Sequence, residues 1–287
     1  MNLQNKSFIG SDDMNNSSIS SKKNIVGGIT FDVVSDPDVE VNELLKINNE
    51  FWSSVGNKAI GATALPSWGG FFDEEYLGLL GDLSNKKVLD ICCGTGHSLQ
   101  YVHKKGAAEL WGIDISQEQI KLARNWLSEK GINAELICSP MEEDCGIPKN
   151  YFGLVYSVFG IGWTSDLNRT FSLIHSYLKP GGKFIFNWSH PIHNCTSIEN
   201  GELVFNNSYY DEGWYNAQLQ GESVVMCNRM LSTYINALAD NGFVIERLIE
   251  KPNEELLSQD DSVFAEKAKI APVGFVIVCR KSMAQFF

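Results

Sequence analysis

The residues best suited to chemistry lie close together in one short run. In "VLDICCGTGHSL", residues 88–99, Asp90 precedes a turn carrying Gly94 and Gly96, and Asp114 closes the next apolar run, "LWGIDIS". Glycines without a Cβ allow positive φ and close approach of a ligand to the backbone. A helix beginning near His97 would aim free N–H groups at the same space. A carboxylate at the tip of the following strand can accept hydrogen bonds from both hydroxyls of a ribose. The chemistry this predicts is the binding of a cofactor that carries a nucleoside. Asp114 has a second use as the N-cap of the following helix, although Ser116 is better placed for that.

The identity of that cofactor turns on two further residues. A dinucleotide loop reads G-x-G-x-x-G, and here the third glycine position is Leu99. Asp90 is poor company for a pyrophosphate but suits a cationic ligand. Both features disfavour a nicotinamide oxidoreductase, which stays as the alternative together with a non-catalytic cofactor-binding module. Cys92 and Cys93 raise a redox or metal reading. The chain has no CxxC pair, and neighbouring strand residues point to opposite faces, so no metal site is expected.

These residues need a frame, and the apolar pattern supplies one. "KKVLDIC", "ELWGIDI", "NAELICS", "FGLVYSVF" and "GKFIFNWS" read as strands separated by helices over 97–105, 117–130 and 167–178. Strands apolar on both faces alternating with helices predict a doubly wound, mostly parallel seven-stranded α/β sheet. Its last two strands, "FVIERLIE" and "VGFVIVCRK", form an antiparallel pair joined through an acidic, solvated loop. Residues 1–30 are rich in Asn and Ser and are expected to be a disordered tail. The remainder, 31–287, reads as one domain with a helical lid over 31–84, including a helix over 41–57, and an inserted cap over 190–228.

Bulk composition narrows the function. The chain has 287 residues, 44% of them hydrophobic, and a net charge of −12 from 23 Lys plus Arg against 35 Asp plus Glu. Such a surface repels phosphate backbones, so nucleic acid is not an expected partner. No apolar run is long enough to span a bilayer, and seven scattered cysteines suit reduced thiols, which predicts a cytoplasmic protein without membrane contact.

The order of these motifs resembles the class I S-adenosylmethionine-dependent methyltransferases, in their small-molecule, methyltransferase-11-like branch. The resemblance covers about residues 52–281. The family's first motif, D-x-G-C-G-T-G, stands here as Asp90, Ile91, Cys92, Cys93, Gly94, Thr95, Gly96. The resemblance implies a Rossmann-like fold, S-adenosyl-L-methionine as cofactor, and methyl transfer to a small acceptor. It implies ribose binding by Asp114, with Ile115 beside the adenine. Pro140, Met141 and Glu142 match the pair that flanks the adenine ring, with the usual acid displaced. In "FGLVYS" Gly153 replaces the family's aspartate, and Ser157 is expected near the methionine part of the cofactor. Cys92 and Cys93 become small fillers beneath the cofactor, their backbones facing it.

Transfer from a sulfonium needs mainly an in-line approach in a dry site, so no dedicated base is obligatory. His190, directly after the fifth strand, is the candidate base, with a purely scaffolding role as the alternative. Trp68, Trp163, His190 and Tyr209 are expected to line the acceptor pocket, and their aromatic character suits an aromatic or heterocyclic acceptor. The turn after the fourth strand is "VFGIGW", without the N/D-P-P-Y pattern of nucleic-acid methyltransferases.

Overall fold

Apolar runs such as Val88–Leu89 and Phe184–Phe186 are fully buried on consecutive residues, which requires a sheet covered on both faces. The computed structural model describes residues 22–26, 29–35, 40–56, 63–219 and 222–283. In chain order it contains β1 (Lys22–Val26), β2 (Ile29–Ser35), α1 (Val41–Val55), β3 (Ser67–Gly69), β4 (Phe72–Asp73) and α2 (Glu74–Leu77). There follow β5 (Lys87–Ile91), α3 (His97–Lys104), β6 (Glu109–Asp114), α4 (Gln117–Ser128), β7 (Glu135–Cys138), β8 (Phe152–Ser157), α5 (Leu167–Tyr177) and β9 (Leu178–Ser189). The chain continues through α6 (Pro191–Cys195), β10 (Thr196–Glu199), β11 (Glu202–Phe205), β12 (Gly213–Leu219) and β13 (Glu222–Asn228). It closes with α7 (Leu231–Asp240), β14 (Phe243–Ile249), α8 (Glu254–Ser258), α9 (Val263–Ala268) and β15 (Gly274–Lys281).

The seven-stranded sheet has the order β14-β15-β9-β8-β5-β6-β7. β9, β8, β5, β6 and β7 are parallel, while β15 is antiparallel to both β9 and β14. From β5 the chain winds outward through β6 to β7, then returns to place β8 on the other side of β5. The order therefore reverses at β5, and a crevice opens beyond the carboxyl ends of β5 and β8. Among the described residues no helix is long and apolar enough to cross a membrane.

A second sheet, β1-β2-β12-β13, lies outside this frame. It joins residues expected in the tail, the lid and the cap: β1 falls within the expected tail and β2 within the expected helical lid. Residues 1–21 and 27–28, the rest of that tail but for Ile29 and Thr30 of β2, lie outside the described residues. Of the lid, only α1 is a long helix; 63–84 is mainly turns, with the short pair β3–β4 and the single turn α2.

α1 is docked on the cap sheet by one polar side chain. Asn48 Nδ2 donates to Val225 O at 2.9 Å, and Val225 N donates back to Asn48 Oδ1 at 2.9 Å. The other end of α1 meets α4, where the Ser53 and Ser116 hydroxyls are 2.9 Å apart and Gln119 Nε2 donates to Trp52 O at 2.9 Å. The acidic stretch expected to be a loop, residues 253–262, instead contains α8 and ends at the cap of α9. The side chains of Asn253 and Ser262 cap their N-termini, and Leu257, Ala265, Ala268 and Val273 pack into a satellite core with Phe71 and Phe264. Caps plus a small apolar face outweigh the local polarity.

Asn48→Ala leaves the buried N–H and C=O of Val225 unpaired. It is expected to lower stability by roughly 1–3 kcal/mol, measured by urea unfolding; an unchanged midpoint would show that α1 is held by other contacts.

Candidate functional site

β5 delivers its chain into the crevice through a tight turn. Cys92 adopts φ +63°, a conformation that glycine tolerates better. Cys93 N then donates to Ile113 O at 2.9 Å and Gly96 N to Cys93 O at 2.9 Å, which binds the turn to β6 and closes it. The Cys93 side chain packs where Gly112 leaves room: a Cβ on Gly112 would lie 2.8 Å from Cys93 Sγ. The expected filler role of Cys93 thus has a visible reason.

Asp114 ends β6 with its side chain turned toward the same turn. Oδ2 accepts from Gly94 N at 2.9 Å and Oδ1 from Ser116 N at 2.9 Å. Capping of α4 falls to Ser116, whose hydroxyl accepts from Gln119 N at 3.2 Å. Asp114 is only 8% exposed. Burial raises its pKa to about 6, against the lowering effect of the Ser116 and Gly94 amides. Asp90 lies deeper, and burial pushes its carboxyl well above the usual range, opposed by the nearby Tyr156 hydroxyl and reinforced by Asp114.

Around these groups lies a cleft with about 1080 Å³ of atom-free space, its open mouth included. Asp90, Cys92, Cys93, Gly94 and Thr95 form one side, with Asp114 and Ile115 next to them. Ser139, Pro140, Met141 and Glu142 come from the loop after β7, Val158, Phe159 and Trp163 from the loop after β8, and Leu45, Asn48 and Trp52 from α1. Trp163 meets Trp52 at 5.3 Å between ring centroids with planes at 89°, and Trp188 at 5.8 Å and 78°. Its backbone is gripped on both flanks: Arg229 donates to Gly162 O at 3.4 Å and Thr164 O at 2.6 Å, while Glu142 Oε1 accepts from Ser165 N at 2.5 Å.

Eight expected cofactor contacts thus share one cleft: Asp90, Cys92, Gly94, Asp114, Ile115, Pro140, Met141 and Glu142. Gly96 and Ser157 are placed differently. A Cβ on Gly96 would lie 3.2 Å from that of Ala123, so this glycine serves the packing of α3 on α4. The Ser157 hydroxyl is buried and donates to Ile91 O at 2.7 Å, tying β8 to β5 below the cleft.

Of the expected acceptor contacts, only Trp163 lines the cleft. Trp68 is fully buried, its Nε1 donating to Glu74 Oε2 at 2.9 Å. Tyr209 lies on the cap, its hydroxyl accepting from Leu231 N at 3.3 Å. His190, expected as a base or a scaffold residue, lies outside the cleft lining. It is 2% exposed, its Nδ1 accepts from Ile192 N at 3.1 Å to cap α6, and its Nε2 lies 2.9 Å from Glu250 Oε1. With both ring nitrogens occupied and burial lowering its pKa against the pull of Glu250, it has no nitrogen left for an acceptor.

The sequence reading missed Gln119, Thr95, His97 and Phe159, all on the cleft wall. Thr95 and His97 sit inside or beside the glycine motif, and that adjacency was the available signal; Gln119 had none. Among the described residues no group of His, Cys, Asp or Glu has the arrangement of a metal site.

The donor set fits a cationic nucleoside cofactor. Asp114 retains lone pairs for hydroxyl donors, Gly94 leaves the backbone bare, and Ile115 and Met141 offer apolar faces to a flat base. The described lining contains no lysine or arginine.

The two glycines should separate in a test. Both glycines hold positive φ, +49° at Gly94 and +79° at Gly96, so alanine strains the backbone at each. A Cβ on Gly94 meets only Gln119 Oε1 at 3.9 Å, so Gly94→Ala is expected to weaken S-adenosylhomocysteine binding more than Gly96→Ala does and to lower the melting temperature less. Calorimetry and thermal melts check the pair, and equal effects would contradict the division.

Residues 88–182 match the family described as "Methyltransferase domain". The chain is 30% identical over 186 residues to an uncharacterized protein of Haemophilus influenzae, covering 61% of this chain and 73% of that one. It is 29% identical over 138 residues to malonyl-[acyl-carrier protein] O-methyltransferase of Priestia megaterium, covering 46% of this chain and 49% of the relative, about half its length. Among solved structures, an S-adenosylmethionine-dependent methyltransferase from Mesorhizobium loti aligns with a TM-score of 0.62 and 25% identity, over 72% of this chain and 96% of that one. Fold, motif order and relatives agree, and the chain belongs to the class I S-adenosylmethionine-dependent methyltransferases, with S-adenosylmethionine as its cofactor.

Proposed function

We propose that the enzyme methylates a small, flat, aromatic or heterocyclic acceptor that carries no negative charge. The observation that carries this reading is the cleft wall itself. Trp52 and Trp163 meet at a right angle with Phe159 nearby, three carboxylate residues line the cleft, and no lysine or arginine stands among its described lining residues. Aromatic walls favour planar apolar surface, and the acidic lining opposes an anion.

Bound S-adenosylmethionine supplies the methyl group and the leaving thioether. The chain's contribution is placement. Asp114 takes the ribose hydroxyls while its bonds to Gly94 and Ser116 hold the turn still. Ile115, Pro140 and Met141 sandwich the adenine, and Glu142 secures the loop that carries Trp163. α1, pinned at Asn48 and Gln119, roofs the cleft and excludes water, so that proximity and desolvation provide the rate enhancement. A small-molecule acceptor in a cytoplasmic setting fits this reading, and the seven unbridged cysteines support the compartment.

Two experiments test these assignments. Ribose hydroxyls donate best to an ionised carboxylate, so cofactor binding lowers the Asp114 pKa from its value of about 6 and releases a proton. Affinity for S-adenosylhomocysteine should therefore be flat above that pH and fall as the pH drops through it. Asp114→Asn should cost roughly 1–3 kcal/mol and flatten the profile; a pH-dependent variant would remove Asp114 from the ribose. A labelled-methyl screen pairing neutral heteroaromatic compounds with their carboxylated counterparts should give turnover with the neutral members only. Preference for the carboxylated members would overturn the acceptor reading.

A further inference from the structure

The acidic lining poses a problem that the assigned contacts leave unsolved. S-adenosylmethionine carries an α-carboxylate as well as its two cationic centres, and the carboxylates of Asp114 and Glu142 repel an anion. The described lining also includes Thr95, His97 and Ser98, where the chain enters α3. No side chain caps this helix, and its first turn contains no acidic residue.

His97 is held there with unusual care for a cleft residue. Its ring stacks on Trp126 at 4.0 Å between centroids and 23° between planes. Lys130 lies over the Trp126 ring at 3.2 Å. Nδ1 of His97 stands 2.9 Å from Thr95 Oγ1. Stacking fixes the ring plane and the threonine fixes its rotation, and the described residues give the imidazole a hydrogen-bond partner only on the Thr95 side. When the Thr95 hydroxyl donates to Nδ1, the neutral ring carries its proton on Nε2. Burial and the nearby Lys130 lower the His97 pKa against the raising effect of the Thr95 backbone, which favours a neutral ring.

We propose that His97 is a cofactor-binding residue whose Nε2–H donates to the carboxylate at the amino-acid end of S-adenosylmethionine, with Thr95 as the positioning residue that sets its tautomer. The free amides at the start of α3 add to the same pole. The cleft is thereby sorted by charge: carboxylates face the ribose and the cationic centres, and the imidazole and helix start face the anion.

The test compares two ligands on the full chain by calorimetry. S-adenosylhomocysteine carries the amino-acid end, and 5′-methylthioadenosine lacks it. His97→Phe keeps an aromatic ring to stack on Trp126 but removes the donor. It should weaken S-adenosylhomocysteine binding about tenfold or more while leaving methylthioadenosine within about twofold, as loss of a hydrogen bond to a charged group requires. Retained methylthioadenosine affinity also shows that the variant is folded. His97→Gln, which restores an N–H, should recover part of the loss. Equal weakening of both ligands, weakening of neither, or a glutamine variant as poor as the phenylalanine one would overturn the assignment. Failure of the wild-type chain to bind either ligand would strike at the cofactor site itself.

Discussion

The Asp114 carboxylate has two backbone partners from different loops, and the site is built around that fact. One oxygen holds Gly94 in the turn after β5, and the other holds Ser116 at the start of α4. A single charged group at the tip of β6 thus determines the distance between two helix entrances and the shape of the crevice between them. Such an arrangement is electrostatically expensive, because the carboxylate is nearly buried and a second acid, Asp90, lies close. Two amide donors offset part of that cost in the free protein, and ligand hydroxyls offset more of it on binding. The group is therefore both a structural tie and a receptor poised for donors.

A second constraint comes from the roof. α1 touches the central domain and the cap sheet through different side chains: Gln119 and Ser116 receive one end, and the backbone of Val225 receives Asn48. Arg229, just past β13, grips the loop that carries Trp163. Lid, cap and aromatic wall consequently form one connected structure, which explains how a cleft assembled from segments far apart in the chain keeps a defined shape.

The parallel sheet and the glycine turn were readable because both are local signals. Strands such as Val88–Ile91 and Phe184–Trp188 are apolar at every residue but Asp90 and Asn187, and the Gly94 to Asp114 relation follows from one strand–helix–strand unit. What escaped depends on contacts between distant parts. His190 looked free for chemistry because nothing near it reveals Glu250, which reaches it from the end of β14. Trp68 looked like a pocket wall because its partner Glu74 is an ordinary acidic residue in sequence, buried only by tertiary packing. Ser157 shows the limit of motif transfer, since its position in the strand was right but its hydroxyl turned into the sheet. The β1–β2 strands were hidden by an Asn- and Ser-rich surrounding, and β2 pairs in the fold with β12, far along the chain. The aromatic excess around the cleft was visible as composition, yet only Trp52 and Trp163 of the tryptophans reach its wall.

The account stands on the nucleoside lying across the tips of β5 and β6. A crystal structure of the chain with S-adenosylhomocysteine tests this most directly. The ribose hydroxyls should fall within hydrogen-bonding distance of the Asp114 carboxylate, with the adenine between Ile115 and Met141. Ligand density elsewhere, or a ribose turned away from Asp114, would contradict it.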